Sequence, residues 1–223
     1  MPQRSKSKPV LSKPKPKFIA VEGGEGSGKS SLMIALKEAL GDSIHATREP
    51  GGSPYAEVIR EATLKNPLAK DTPAETTLCL MFASRFDHVH ATVRPKLQAG
   101  ISVIADRFDA SSYAYNVWAQ SGGKLEDIFW HLRERLTVIP DMYIYVEVAI
   151  EEGIRRARSR NQSLLNGKLY DHFDDRELEF HGRVAEGYKR FLSKVPHLII
   201  DANRPLETVK KDFIYEIQGF LKA

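Results

Sequence analysis

The octapeptide Gly23-Gly24-Glu25-Gly26-Ser27-Gly28-Lys29-Ser30 constrains this chain more than any other segment. It fits G-x-x-x-x-G-K-[S/T], a loop whose glycines reach positive φ and turn successive backbone N–H groups inward around an anion. Its flanks agree with that reading. The apolar Phe18-Ile19-Ala20-Val21 before it reads as a short buried strand, and Lys29 to Leu40 behind it as a helix closed by Gly41, its positive N-terminal end facing the loop. Such a strand–loop–helix unit holds polyphosphate, with Lys29 neutralising β- and γ-oxygens and the Ser30 hydroxyl helping to hold Mg²⁺. The loop specifies a nucleoside triphosphate, whereas the chemistry must come from elsewhere.

Around this unit, short apolar strands alternate with longer helical stretches. Further strands are expected at 43–47, 101–105, 142–148 and 197–200. After the turn Glu49-Pro50-Gly51-Gly52 a helix runs to about 65, and Thr72-Pro73-Ala74-Glu75 reads as a capping box opening a long helix towards 98. Helical segments follow from 111 and 124, then a basic helix over 151–160, a polar loop over 161–169, and helices over 176–194 and 206–221. Five strands separated by helices imply a three-layer α/β/α fold, a five-stranded parallel sheet covered on both faces.

Charge sharpens the organisation. The 223 residues carry 33 Lys and Arg against 29 Asp and Glu, a net +4 that on its face suggests a nucleic-acid or anionic-membrane partner. Six of those positive charges and no acid lie in residues 1–17, with four prolines, so this stretch reads as a solvated leader with weak anion binding or an organelle address as alternatives. Residues 18–223 then hold 27 basic and 29 acidic side chains, a net −2, and read as a single domain with a lid at about 156–175. A single cysteine, Cys79, excludes an internal disulfide and suits a reducing, cytoplasmic setting. No apolar run approaches the roughly 18 residues of a membrane helix.

A guanine-reading Asn-Lys-x-Asp element is absent, and the third strand ends in Asp106-Arg107 rather than in paired acids; an arginine there suits an anionic second substrate. The chain resembles the thymidylate kinases of bacterial type. The resemblance is carried by Glu22 to Lys29, by Thr47-Arg48-Glu49-Pro50-Gly51-Gly52, by Leu80-Met81-Phe82-Ala83-Ser84-Arg85, and by Asp106-Arg107 with Ser111, Ser112, Tyr113, Ala114 and Tyr115 following. Pro140-Asp141, Glu152 to Arg158 and Phe180-His181-Gly182-Arg183-Val184 extend it, in order, to the C-terminal part of the chain.

This resemblance implies the P-loop nucleoside triphosphatase fold and in-line transfer of the ATP γ-phosphoryl group to dTMP, with Mg²⁺, giving ADP and dTDP. Donor contacts then fall to Gly23, Gly24, Glu25, Gly26, Ser27, Gly28, Lys29, Ser30 and Ser31, with Arg156, and Asp106 acts through the Mg²⁺ shell with Ser30. Arg107 pairs with the dTMP phosphate, while Arg48 either assists or only fixes the turn after it. Glu25, a carboxylate inside an anion-binding loop, is expected at the sugar 3′-hydroxyl. Phe82 stacks on thymine and Arg85 bonds its carbonyl edge, the plain alternative being a core phenylalanine beside a surface arginine. Ser112 reaches the other polar edge of the base and Tyr115 crowds the 2′ position. Arg158 and Arg160, supported by Arg156, supply the lid cation that the loop itself lacks. A homodimer is implied.

Two segments depart from the family pattern, Asn116-Val117-Trp118-Ala119-Gln120 and Asp171-His172-Phe173-Asp174. The rival readings are a deoxynucleotide kinase of altered base preference and a deoxynucleoside kinase, which would need a general base for a neutral hydroxyl. From a different class comes a P-loop ATPase that binds nucleic acid through residues 1–17.

Overall fold

The computed structural model describes residues 14–163 and 178–223, with only the backbone for 160–163. Strands β1 (Phe18–Glu22), β2 (Ile44–Arg48), β3 (Ser102–Asp106), β4 (Met142–Glu147) and β5 (His197–Asp201) form one parallel sheet in the order β2-β3-β1-β4-β5. Strand β1 is apolar without alternation because both of its faces are covered. Phe18 and Ala20 join one core with Val103, Ala105 and Tyr143; Ile19 and Val21 join the other with Ile104, Ile144 and Ile200. Burying each large apolar side chain contributes on the order of 1.5–3 kcal/mol.

The first core is closed by helices α3 (Ala74–His88), α6 (Glu126–Arg133) and α8 (Leu178–Leu192), the second by α1 (Lys29–Leu40) and α9 (Leu206–Lys222). On α8 the inward residues Phe180, Val184, Tyr188 and Phe191 follow helical spacing, and the Phe191 ring stacks on Trp130 at 5.9 Å. The remaining helical elements are α2 (Pro54–Arg60), α4 (Arg94–Gln98), α5 (Asp109–Ser112) and α7 (Ile150–Ser163), with wider π turns at Glu61–Lys65, Val89–Val93 and Tyr113–Gln120 and tighter 3-10 turns at Gly41–Ser43 and Pro67–Asp71.

The register places the site. Val21 lies opposite Asp106 on one side and Ile144 on the other, so the loop after β1 and the Asp106-Arg107 corner leave the sheet together. This is the crevice beyond the carboxyl ends of the strands, where order reverses about β1.

Some local expectations differ. Thr72 forms no capping box: its hydroxyl donates to the Leu68 carbonyl at 3.3 Å, within the Pro67–Asp71 turn, and Pro73 becomes the cap residue of α3. The long helix reaches Gln98 only through the π turn at Val89–Val93. The basic helix α7 extends to Ser163, into the expected loop. Lys17, expected as the last leader residue, is tied to the sheet, its carbonyl accepting from the Val103 N–H at 2.9 Å and its ammonium lying 5.1 Å from the Phe220 ring centre. The rest of the expected lid, the Asp171–Asp174 departure and residues 1–13 lie outside the described residues. Among the described residues no helix is long and apolar enough to cross a membrane.

Candidate active site

The loop from Gly23 to Gly28 is built on positive-φ glycines, Gly23 (155°), Gly26 (63°) and Gly28 (88°), which allow it to curl over the N-terminus of α1. Lys29 is buried and donates to the carbonyls of Gly23 at 2.7 Å and Gly24 at 3.0 Å and to Ser27 Oγ at 3.1 Å. Burial, then the nearby Arg107, lowers its pKa to about 8, against the opposing pull of Asp106, Glu25 and Glu22. Ser30 stands beside it, and Asp106 lines the same cleft. Asp106 Oδ1 is buried with no hydrogen-bond partner, as a group held for a cation would be, so the pair fits a divalent ion.

Arg107 opens the far wall. Burial works against its charge, yet Tyr115, Tyr188, Glu25 and Asp106 raise its pKa well above the ordinary value. Its Nη1 donates to Gly23 O, Ser111 Oγ and Tyr188 Oη at 3.1–3.3 Å, and its Nη2 lies 3.6 Å from Glu25 Oε1. Tyr115 donates to the same Glu25 oxygen at 3.5 Å and presents its ring 5.5 Å from the Arg107 guanidinium. Beneath them Glu22, fully buried at the end of β1, accepts from the Phe108 N–H at 2.7 Å and Ser111 Oγ at 2.6 Å; burial raises its pKa to about 7.

Deeper in the cleft, Arg85 is buried and bonded through Nε to Glu49 Oε2 at 2.8 Å and through Nη2 to Ser112 Oγ at 3.0 Å. The other Glu49 oxygen meets His88 Nδ1 at 2.8 Å. Arg85 Nη1 is buried with no hydrogen-bond partner, a donor awaiting an acceptor in the cleft that Arg85 lines. Of the plain alternative, the half that makes Arg85 a surface residue fails, since Arg85 is buried, while the half that puts Phe82 in the core holds.

Phe82 requires a correction. It is 1% exposed, packs its ring on Phe129 at 5.5 Å in the first core, and does not line the cleft. Phe82 precedes Arg85 by three residues, whereas Met81 precedes it by four, and it is Met81 that reaches the cleft wall. Arg48 sits at the cleft edge and holds Glu57 at 3.0 Å; Glu57 in turn accepts from the Gly52 N–H at 2.9 Å, which secures the turn.

The cleft encloses about 390 Å³, and a second cavity of about 420 Å³ lies on the other side of the loop, against Arg155, Arg156 and Arg204. Both cavities touch Gly26, Ser27, Gly28 and Ser31, so the phosphate loop is their common wall. Arg156 is held by Glu152 at 2.6 Å and by the Ala202 carbonyl at 3.1 Å. Arg158 is exposed on α7 and lines neither cavity; the Arg160 side chain lies outside the described residues.

Sequence reasoning gave no role to Glu22, Glu49, Met81 or Tyr188. A charge closing an otherwise apolar strand was the available signal for Glu22, and the four-residue step to Arg85 the signal for Met81. Tyr188 had none, since its partners lie more than 70 residues away in sequence.

The thymidylate kinase family model matches residues 21–213. The thymidylate kinase of Chlamydia felis is 36% identical over 197 residues, covering 85% of this chain and 91% of its own. That of Hahella chejuensis is 35% identical over 204 residues, covering 86% and 91%. The crystal structure of thymidylate kinase from Ehrlichia chaffeensis superposes with a TM-score of 0.69 at 25% identity, over 92% of this chain and 99% of that one.

Proposed function

The chain belongs to the thymidylate kinase family, enzymes that transfer the ATP γ-phosphoryl group to dTMP, and we propose the following division of that reaction over its two cavities. ATP occupies the cavity beside α7 and runs its phosphates through the loop. The backbone N–H groups of 23–28, Lys29, Ser30 and Ser31 hold those phosphates, with Arg156 at the nucleoside end. The acceptor dTMP occupies the cleft lined by Arg85 and Arg107. One oxygen of its phosphate attacks the γ-phosphorus as the bond to the β-bridging oxygen breaks. That oxygen is already ionised, so no general base is required.

The work is therefore positioning and charge compensation. Arg107 pairs with the acceptor phosphate, and Arg85 Nη1 with Ser112 reads the polar edge of the base. Met81 supplies the apolar wall, Glu25 takes the 3′-hydroxyl, and Tyr115 covers the 2′ position, with Arg48 at the entrance. Ser30 and Asp106 would hold Mg²⁺, which when bound neutralises phosphate charge. The lid cation is assigned to Arg158 and Arg160 of α7 on the family pattern, Arg158 lining neither cavity in this arrangement of the helix. The working form is a cytoplasmic homodimer, a reading supported by the family and by the exposed apolar side chains of Tyr55 and Val58 on α2.

The observation that carries this reading is the pair of cavities sharing one phosphate-loop wall, with Arg107 on the acceptor side. ADP release is measured with ATP and a panel of nucleoside monophosphates, deoxynucleoside monophosphates and nucleosides. Preference for dTMP is expected; transfer to nucleosides alone, or to no acceptor, would refute the reading.

A further inference from the structure

Arg107 is the one non-glycine residue with positive φ among the described residues, at 70°. That conformation crowds a Cβ and persists only where the surroundings over-determine it. Here they do so from several elements. The Arg107 N–H is held by the Val21 carbonyl of β1 at 2.9 Å, and the next N–H, that of Phe108, by Glu22 at 2.7 Å. The side chain is held as firmly: Ser111 Oγ lies 3.1 Å and Tyr188 Oη 3.2 Å from the same Nη1, and the two hydroxyls are 2.9 Å apart.

Donor and acceptor counting orders this cluster. Nη1 can only donate. Ser111 gives its single hydroxyl hydrogen to Glu22 Oε2 at 2.6 Å, and Tyr188 shares its own between Ser111 Oγ at 2.9 Å and the Gly23 carbonyl at 3.2 Å; each hydroxyl oxygen keeps a lone pair to accept from Nη1. Two relays, Arg107 to Ser111 to Glu22 and Arg107 to Tyr188 to Gly23, thus engage one guanidinium nitrogen on the protein side. Nη2 is on the side of Glu25 and the cleft. Glu22 and Tyr188 are fully buried and do not line the cleft, so they reach a bound nucleotide only through the arginine.

We propose that Glu22, Ser111 and Tyr188 are positioning residues that lock Arg107 in its left-handed turn and aim its guanidinium at the acceptor phosphate. The proposal rests on the acceptor-side role given to Arg107 above. It makes a helix distant in sequence, α8, part of the dTMP site through one hydroxyl.

Tyr188→Phe deletes that hydroxyl and keeps the ring, which packs on Tyr145 at 5.1 Å. Calorimetry on the full chain measures dTMP and ADP affinity for this variant, for Ser111→Ala, for Arg107→Ala and for Tyr188→Phe combined with Arg107→Ala. Tyr188→Phe is expected to weaken dTMP by about tenfold or more, as loss of one hydrogen bond to a charged group would, with ADP within twofold of wild type. Ser111→Ala carries the same expectation should Tyr188→Phe fail to fold. In the Arg107→Ala background, Tyr188→Phe should add nothing, because the group it aims is gone. Unchanged dTMP affinity in Arg107→Ala would overturn the acceptor-side reading itself. A weakened Arg107→Ala beside an unaffected Tyr188→Phe and Ser111→Ala, or a Tyr188→Phe effect that persists without Arg107, would overturn the positioning role alone.

Discussion

Lys29 spends its hydrogen bonds on its own loop, and burial brings its pKa to about 8. A folded-state pKa below the usual 10.4 or so means that above pH 8 a growing share of the free protein carries a neutral lysine. Polyphosphate favours the ammonium, so ATP uptake at about pH 8.5 should draw in a proton and ATP affinity should fall as pH rises through 8. Calorimetry in two buffers of different ionisation enthalpy reads this directly; a buffer-dependent heat at pH 8.5 that vanishes in Lys29→Met is expected, and a heat independent of buffer would count against it. Met81 and Phe82 are adjacent in sequence yet answer to different demands. Met81→Ala should raise the dTMP KM severalfold with the ATP KM unchanged. Phe82→Ala empties the first core and should cost about 3–5 kcal/mol in stability. Thermal melts and steady-state kinetics separate the two, and a selective dTMP defect in Phe82→Leu without one in Met81→Ala would reverse their roles.

At the level of elements, α7 meets the phosphate loop backbone to backbone. A Cβ on Gly153 would lie 2.6 Å from the Glu25 carbonyl oxygen, and one on Gly26 would run into the Gly153 carbonyl oxygen. Neither neighbour is a flexible side chain that could move aside, so the helix bearing Arg156 and Arg158 is keyed to the loop by two hydrogens. Gly153→Ala should push the loop from α7 and weaken ATP by at least tenfold, with the fold retained; ATP affinity within twofold of wild type would show that the contact can relax. The elements were largely legible in the sequence, because β1 and α1 carry their periodicity and their glycines locally. Thr72 misled because two local partners competed for one hydroxyl, and the Leu68 carbonyl won. What could not be read locally is the pairing across elements: Glu49 to Arg85, 36 residues apart, and Tyr188 to Arg107, 81 residues apart. Side-chain identity names the chemistry of such pairs, while the sheet order alone brings them together.

For the whole molecule, the order β2-β3-β1-β4-β5 puts the phosphate loop at the centre of the sheet, with a core on each face. The cations that matter to a nucleotide, Lys29, Arg85 and Arg107, converge on that centre, whereas the surplus positive charge lies in residues 1–17. The net +4 therefore joins two unrelated populations, and they can be separated by experiment. Lys17 is anchored to β3 and to Phe220, so the cut belongs before it. Removing residues 1–13 should leave kcat and both KM values within twofold of the full chain, since the described contacts of the site involve none of them. It should also abolish whatever salt-sensitive retention on immobilised DNA the full chain displays, because two of the leader's six charges, Arg4 and Lys6, and two more, Lys8 and Lys13, go with it. Loss of dTMP phosphorylation on that truncation would instead tie the leader to catalysis.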